Sequence, residues 1–144
     1  PKEAVATLSN AMDVGNPSNF VRIIELFQQQ FPELKKNLSA QTVTDEETIA
    51  TIKKVFDKYN YTLDPHGAVA YLALEQYLTN PLFGGQEAGF ILETAHPVKF
   101  PDAVEKATGE KVAVPRSLHE MMKAKKESIM IQPDFEALKS YLLA

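Results

Sequence analysis

One short stretch, residues 89–100, constrains the fold of this chain more than any other. Residues 90–92 form an apolar, partly branched run after a glycine, which is typical of a strand buried on both faces in a parallel sheet. Thr94, His96 and Lys99 follow at the predicted carboxyl end of that strand. Ligands of open α/β sheets bind at this edge. The stretch therefore predicts a strand that leads into a functional site.

The rest of the chain predicts helices, with start signals that are unusually clear. Thr44 with Glu47 has the spacing of a capping box, and Asp64 followed by Pro65 places a cap before a proline. Gly109 is expected to end a later helix. One strand among many capped helices predicts a helix-rich α/β fold with few strands of a mainly parallel sheet.

Three further predictions concern particular segments. Residues 4–8 suit a short strand, and one amphipathic helix is expected to run from Pro17 until Pro32 stops it. The helix after Pro65 is apolar on nearly every face, so another part of the protein is expected to pack on it. The glycine pair at 84–85 reads as a flexible connector, because two glycines alone do not form a phosphate cradle.

Composition excludes several classes of function. The 144 residues are 44% hydrophobic and 24% charged, with a net charge of -4 and no cysteine. These values predict one compact unit covering residues 1–144 in the cytoplasm. The sequence has no basic stripe of the kind that binds nucleic acid and no apolar run long enough to span a membrane. Without cysteine it cannot form disulfides.

The residues alone leave the chemistry open. His66, His96 and His119 are scattered and form no helical pair with metal-ligand spacing, so a metal site is not expected. A Ser-His-Asp triad has no G-x-S-x-G elbow to support it. By spacing alone, His66 and His96 are explained most simply by hydrogen bonds at a helix start or in a loop.

Three motifs, taken together, resemble one enzyme family. Residues 92–100 read LETAHPVKF, residues 7–20 read TLSNAMDVGNPSNF and residues 63–69 read LDPHGAV. They are similar to the T-A-H-P-x-K-F, A-M-D-V-x-x-P-x-N and L-D-P-H-T-A-V segments of threonine synthases, in the same order. Gly67 stands where that family has threonine.

The resemblance implies an enzyme that uses pyridoxal phosphate and has the fold of the tryptophan synthase β subunit. Such enzymes convert O-phospho-L-homoserine and water to L-threonine and phosphate, which makes them carbon-oxygen lyases acting on a phosphate ester. By the same resemblance, Thr94 places its hydroxyl against the pyridine nitrogen of the cofactor. The other residues expected to line the active site are Asn10, Asp64, His66, His96 and Lys99.

The resemblance also implies what this chain does not contain. In the family, the lysine that holds the cofactor covalently lies in the N-terminal half, which has no counterpart here. The chain is therefore expected to be the C-terminal part of the cofactor-binding region, to pair with that missing part, to contain no catalytic residue and to be inactive alone. An alternative from composition and periodicity is a non-catalytic helical interaction module, which would have no need for the polar cluster at 94–99.

Overall fold

The computed structural model describes residues 2–80 and 88–144. The glycine pair predicted to form a connector at 84–85 lies outside them. Within the described residues, short 3-10 helices lie at Asn10–Met12, Pro97–Lys99 and Arg116–Leu118. The α-helices are α1 (Phe20–Leu26), α2 (Phe31–Asn37), α3 (Asp45–Tyr59), α4 (Pro65–Thr79), α5 (Pro101–Thr108), α6 (His119–Lys123) and α7 (Phe135–Leu143). None of them has the length and apolar content that crossing a membrane requires.

The chain divides into two compact units, Pro1–Ala113 and Val114–Ala144. In the first, α3 packs against both α4 and α5. The core of this unit consists of five buried residues, Ile52, Val55, Leu63, Ala68 and Ala107, with Ile49, Tyr71 and Ile91 packed against them. This three-helix arrangement places the start of α4 and the segment before α5 in the same unit.

The second unit is built locally. The 3-10 helix at Arg116–Leu118 packs against α6, and the His119 ring nitrogen Nε2 lies 3.1 Å from the Val114 carbonyl oxygen. Asp134 caps α7 by accepting a hydrogen bond from the Ala137 amide at 2.9 Å. None of the predicted functional residues lies in this unit.

The predicted capping box of α3 is present. The Thr44 hydroxyl accepts a hydrogen bond from the Glu47 amide at 3.2 Å, and the Glu47 carboxylate accepts one from the Thr44 amide at 2.8 Å. The two side chains thereby satisfy amide groups that the first turn of a helix leaves without intrahelical partners.

Replacing Thr44 with alanine should lower the free energy of unfolding by about 1 kcal/mol, because the Glu47 amide loses its acceptor. Thr44→Ser should retain most of the stability, since serine keeps the hydroxyl. Urea unfolding of the full-length protein measures both effects. Thr42→Ala is the matched control, because Thr42 is exposed and precedes the helix. Equal stability of Thr44→Ala and Thr42→Ala would contradict the assignment.

The prediction of one helix from Pro17 to Pro32 is wrong at both ends. The helix α1 begins at Phe20 and ends at Leu26, because Gln28 and Gln29 adopt left-handed backbone angles, with φ of 50° and 60°. Pro32 then lies in the first turn of α2 rather than at a helix end. A proline is tolerated there because amides of the first turn have no intrahelical acceptor.

The predicted α/β fold with a few parallel strands is also wrong. Residues 2–80 and 88–144 contain helices, turns and irregular backbone but no strand, and this includes residues 4–8 and 90–93. A strand exists only when a second strand pairs with its backbone amides and carbonyls. No segment of the described chain pairs with residues 90–93, so an apolar run with strand preference remains irregular.

Candidate functional site

The start of α4 carries a buried pair of side chains, Asp64 and His66. Asp64 is 0% exposed. Its Oδ1 accepts a hydrogen bond from the His66 amide at 2.9 Å and lies 2.7 Å from the His66 ring nitrogen Nδ1. The predicted helix-start hydrogen bond is therefore present, and Asp64 both caps the helix and orients the imidazole.

The same pair has two buried atoms without partners. Asp64 Oδ2 and His66 Nε2 are inaccessible to solvent and have no hydrogen-bond partner among the described residues. The imidazole also packs on Phe100, with ring centroids 4.9 Å apart. Phe100 immediately precedes α5, so this contact joins the α4 start to the polar segment at 94–99.

Glu93, which the sequence analysis did not select, reaches this pair. The Asp64 amide donates to Glu93 Oε1 at 3.4 Å. The carboxyl group lies directly over Gly67, because a Cβ placed on that glycine would be 2.6 Å from Glu93 Oε2 and 2.7 Å from its Cδ. Any side chain at position 67 would therefore displace the carboxyl group.

The two carboxyl groups have opposite pKa shifts. Burial of its carboxyl end and the hydrogen bond with Asp64 raise the pKa of Glu93 to about 7. Burial favours a raised pKa for Asp64 as well, but hydrogen bonds from Glu93 and His66 outweigh it and lower the pKa below its usual value. At mildly acidic pH the pair therefore holds close to one negative charge, and it approaches two as the pH rises above about 7.

Thr94 is exposed, and its hydroxyl makes no hydrogen bond within the described residues. The sequence allows a threonine in this position to bond the turning backbone, but the structure leaves the hydroxyl available. A neutral donor and acceptor is therefore presented at the surface, one residue after Glu93.

His96 precedes, and Lys99 ends, the short 3-10 helix that follows Thr94. His96 is the cap of this helix, and its Nδ1 accepts a hydrogen bond from the Val98 amide at 3.1 Å. The predicted loop hydrogen bond of His96 is therefore present. Both side chains are exposed, so Thr94, His96 and Lys99 share one exposed segment.

Asn10 is less clearly related to the other candidates. It lies on the 3-10 helix Asn10–Met12 and is exposed. This segment is joined to the start of α3 by a hydrogen bond from the Leu8 amide to Asp45 Oδ1 at 3.0 Å. No hydrogen bond of the described chain joins the Asn10 side chain to Asp64, His66 or Thr94.

An open cleft borders the other side of Glu93. It measures about 340 Å³, and its lining residues are Val55, Tyr59, Tyr61, Leu63, Tyr71, Ile91 and Glu93. The Lys58 ammonium group, which also lies 4.9 Å from the Tyr59 ring centroid, lowers the pKa of the Tyr59 phenol by hydrogen bonding. Among the described residues, no group of three or more His, Asp, Glu or Cys side chains could hold a metal ion.

Comparison with known families gives one match over half of the chain. The family described as threonine synthase, C-terminal, matches residues 67–142. This region contains Gly67, Glu93 and the segment at 94–99, whereas Asp64, His66 and Asn10 lie before its first residue.

Comparison with individual proteins extends the similarity over nearly the whole chain. The chain is 41% identical over 143 residues to the threonine synthases of Buchnera aphidicola subsp. Acyrthosiphon pisum and of Escherichia coli K12. Each alignment covers 99% of this chain and 32% of the relative. The chain thus spans about a third of the length of these relatives.

Solved structures agree with this similarity. The crystal structure of threonine synthase from Escherichia coli matches with a TM-score of 0.79 and 40% identity over 99% of this chain and 32% of that one. A threonine synthase from Brucella melitensis with bound PLP matches with a TM-score of 0.71 and 27% identity, covering 98% of this chain and 34% of that one.

Proposed function

Since the chain belongs to the threonine synthase C-terminal family, we propose that the protein containing it converts O-phospho-L-homoserine and water to L-threonine and phosphate. The reaction class is that of a carbon-oxygen lyase acting on a phosphate ester, with pyridoxal phosphate as cofactor. The observation that carries this proposal is the family match over residues 67–142, which includes the exposed Thr94 segment. The alternative of a non-catalytic interaction module does not account for that match.

The chain supplies the C-terminal part of this enzyme. A preceding part supplies the lysine that holds the cofactor covalently, and the chain alone is inactive. Large apolar side chains on the irregular segment support such a missing partner, since Phe90 is 85% exposed and Leu92 is 72% exposed. Exposed apolar clusters mark surfaces that another part of a protein covers. The proposed location is the cytoplasm.

The residues present fit the pyridine end of the cofactor. Thr94 offers an exposed hydroxyl that makes no hydrogen bond with any residue of 2–80 and 88–144, and a hydroxyl can donate to an aromatic ring nitrogen without adding charge. When bound, pyridoxal phosphate would supply the electron sink for proton removal at the substrate α-carbon. Thr94 would orient the ring and leave its nitrogen neutral, because a hydroxyl, unlike a carboxylate, does not stabilise a pyridinium by charge.

The remaining candidate residues line the site. Asp64 and His66 fix the start of α4 and its junction with Phe100. His96 and Lys99 present an imidazole and an ammonium group on the segment that carries Thr94, and such groups suit an anionic substrate. Asn10 is proposed to line the site from the N-terminal loop of the chain.

The full-length protein should release phosphate from O-phospho-L-homoserine, as measured by a phosphate assay, and should form one L-threonine for each phosphate released. Borohydride reduction in the presence of pyridoxal phosphate, followed by peptide mass spectrometry, should label one lysine outside residues 1–144. Stoichiometric labelling of Lys99 would contradict the division of the site. Failure to release phosphate with cofactor bound would contradict the proposed reaction.

A further inference from the structure

We propose that Glu93 is a positioning residue, which shares one proton with Asp64 above Gly67 and so fixes the Asp64–His66 pair next to the Thr94 segment. That the Asp64–His66 pair and the Thr94 segment belong to an active site rests on the proposed function. The shared proton itself is a property of this chain and can be tested without turnover.

The first argument comes from the two oxygens of the Asp64 carboxyl group. Oδ1 is fully used, because it faces both the His66 amide and the His66 ring nitrogen Nδ1. Oδ2 is buried and has no hydrogen-bond partner among the described residues. A buried carboxylate oxygen without a donor is costly. A proton on Glu93 would provide the missing donor, because Glu93 Oε1 lies 3.4 Å from the Asp64 amide and a hydrogen bond with the Asp64 carboxyl group contributes to the raised pKa of Glu93.

The second argument comes from the space above Gly67. The Glu93 carboxyl group occupies the position that a Cβ at residue 67 would need. Gly67 therefore leaves room for the Glu93 carboxyl group beside Asp64. The flexible end of Glu93 is the group that would move, so an alanine at position 67 displaces the carboxyl group rather than the helix.

The third argument comes from the groups that face Glu93. At the start of α4 these are the cap residue Asp64 and His66, and the cleft adds the phenols Tyr59, Tyr61 and Tyr71. Burial and the neighbouring Asp64 carboxyl group raise the pKa of Glu93 to about 7. Two adjacent carboxyl groups cannot both ionise freely, so one keeps its proton into the neutral range.

The consequence is a fixed imidazole. With the proton on Glu93, Asp64 remains anionic and accepts from Nδ1 of His66, which makes Nδ1 the protonated nitrogen and leaves Nε2 as the free one. Loss of the Glu93 proton at higher pH places a second negative charge beside Asp64. The hydrogen bonding between Glu93, Asp64 and His66 is therefore expected to change between mildly acidic and mildly alkaline pH.

The test follows the carboxyl resonances of the full-length protein labelled with 13C-glutamate, with Glu93→Gln identifying the resonance of Glu93. In the unmodified protein its titration midpoint is expected at about 7. In Gly67→Ala the midpoint should fall toward the ordinary glutamate value of about 4.3. The exposed Glu110 gives the control Glu110→Gln, which should leave the midpoint of Glu93 unchanged.

A second readout separates positioning from simple packing. The 15N spectrum of the His66 imidazole should keep its Nδ1-protonated form at pH 8 in Glu93→Gln, because the amide can still donate to Asp64, but not in Glu93→Ala. A Glu93 midpoint near 4.5, or one that Gly67→Ala does not move, would overturn the proposal. Neither measurement needs substrate, so failure of the phosphate assay would reject the proposed reaction and leave this result standing.

Discussion

Replacing Thr94 with valine is expected to lower kcat/KM of the full-length protein by about 10- to 1000-fold, the usual effect of removing one oriented donor that acts in the transition state. Valine has nearly the volume of threonine but no hydroxyl, so the ring nitrogen of the cofactor would lose its proposed partner. The Thr94 hydroxyl makes no hydrogen bond within the described chain, so its removal should not destabilise the fold.

Three variants make this result specific. Thr94→Ser keeps the hydroxyl and should keep most of the activity. Thr94→Asp should shift the absorbance of the bound cofactor toward protonated forms, because a carboxylate stabilises a pyridinium. Thr42→Val is the matched control, since Thr42 is also exposed, and should change neither rate nor spectrum. An unchanged rate and spectrum in Thr94→Val would reject the assignment.

Replacing Ile52 with alanine should lower the free energy of unfolding of the full-length protein by about 2–5 kcal/mol, the usual range for removing most of a buried aliphatic side chain. Ile52 is 0% exposed and lies in the core where α3, α4 and α5 meet. The loss of stability has two causes. Fewer apolar atoms are removed from water on folding, and the missing side-chain atoms leave a cavity in the core.

Ile129→Ala provides the comparison, because Ile129 is 66% exposed and the same side-chain atoms are removed. It should change the free energy of unfolding by less than about 0.5 kcal/mol. Chemical denaturation with both variants measures the difference. If the two alanine variants were equally stable, the helices α3, α4 and α5 would not enclose the principal core of this chain.

The start of α4 separates what local sequence can predict from what it cannot. The cap by Asp64 before Pro65 was predicted correctly, because a helix cap depends on residues within one turn of each other. The contact of Glu93 with Asp64 and Gly67 was missed. It joins residues far apart along the chain, and the only sequence signal was the glycine at 67 in place of the family's threonine.

Thr94 and its neighbours were selected through the resemblance to threonine synthases, and the family match confirms that resemblance. Their roles in the site stay predictions. The structure adds that the Thr94 hydroxyl makes no hydrogen bond in the described part of the chain and that His96 uses its Nδ1 to cap a short helix. Residue types and spacing cannot distinguish those two states, because both depend on the backbone conformation around each side chain.

By itself, the sequence determined the family and the local signals of helix boundaries, including the Thr44 capping box and the left-handed Gly109 that ends α5. These features depend on side chains acting within a few residues of their own position. Tertiary structure alone decided that residues 90–93 form no strand and that the Glu93 carboxyl group lies on Gly67. Strand pairing and the meeting of two carboxyl groups both require partners distant in the chain, and no local pattern specifies which distant partner is present.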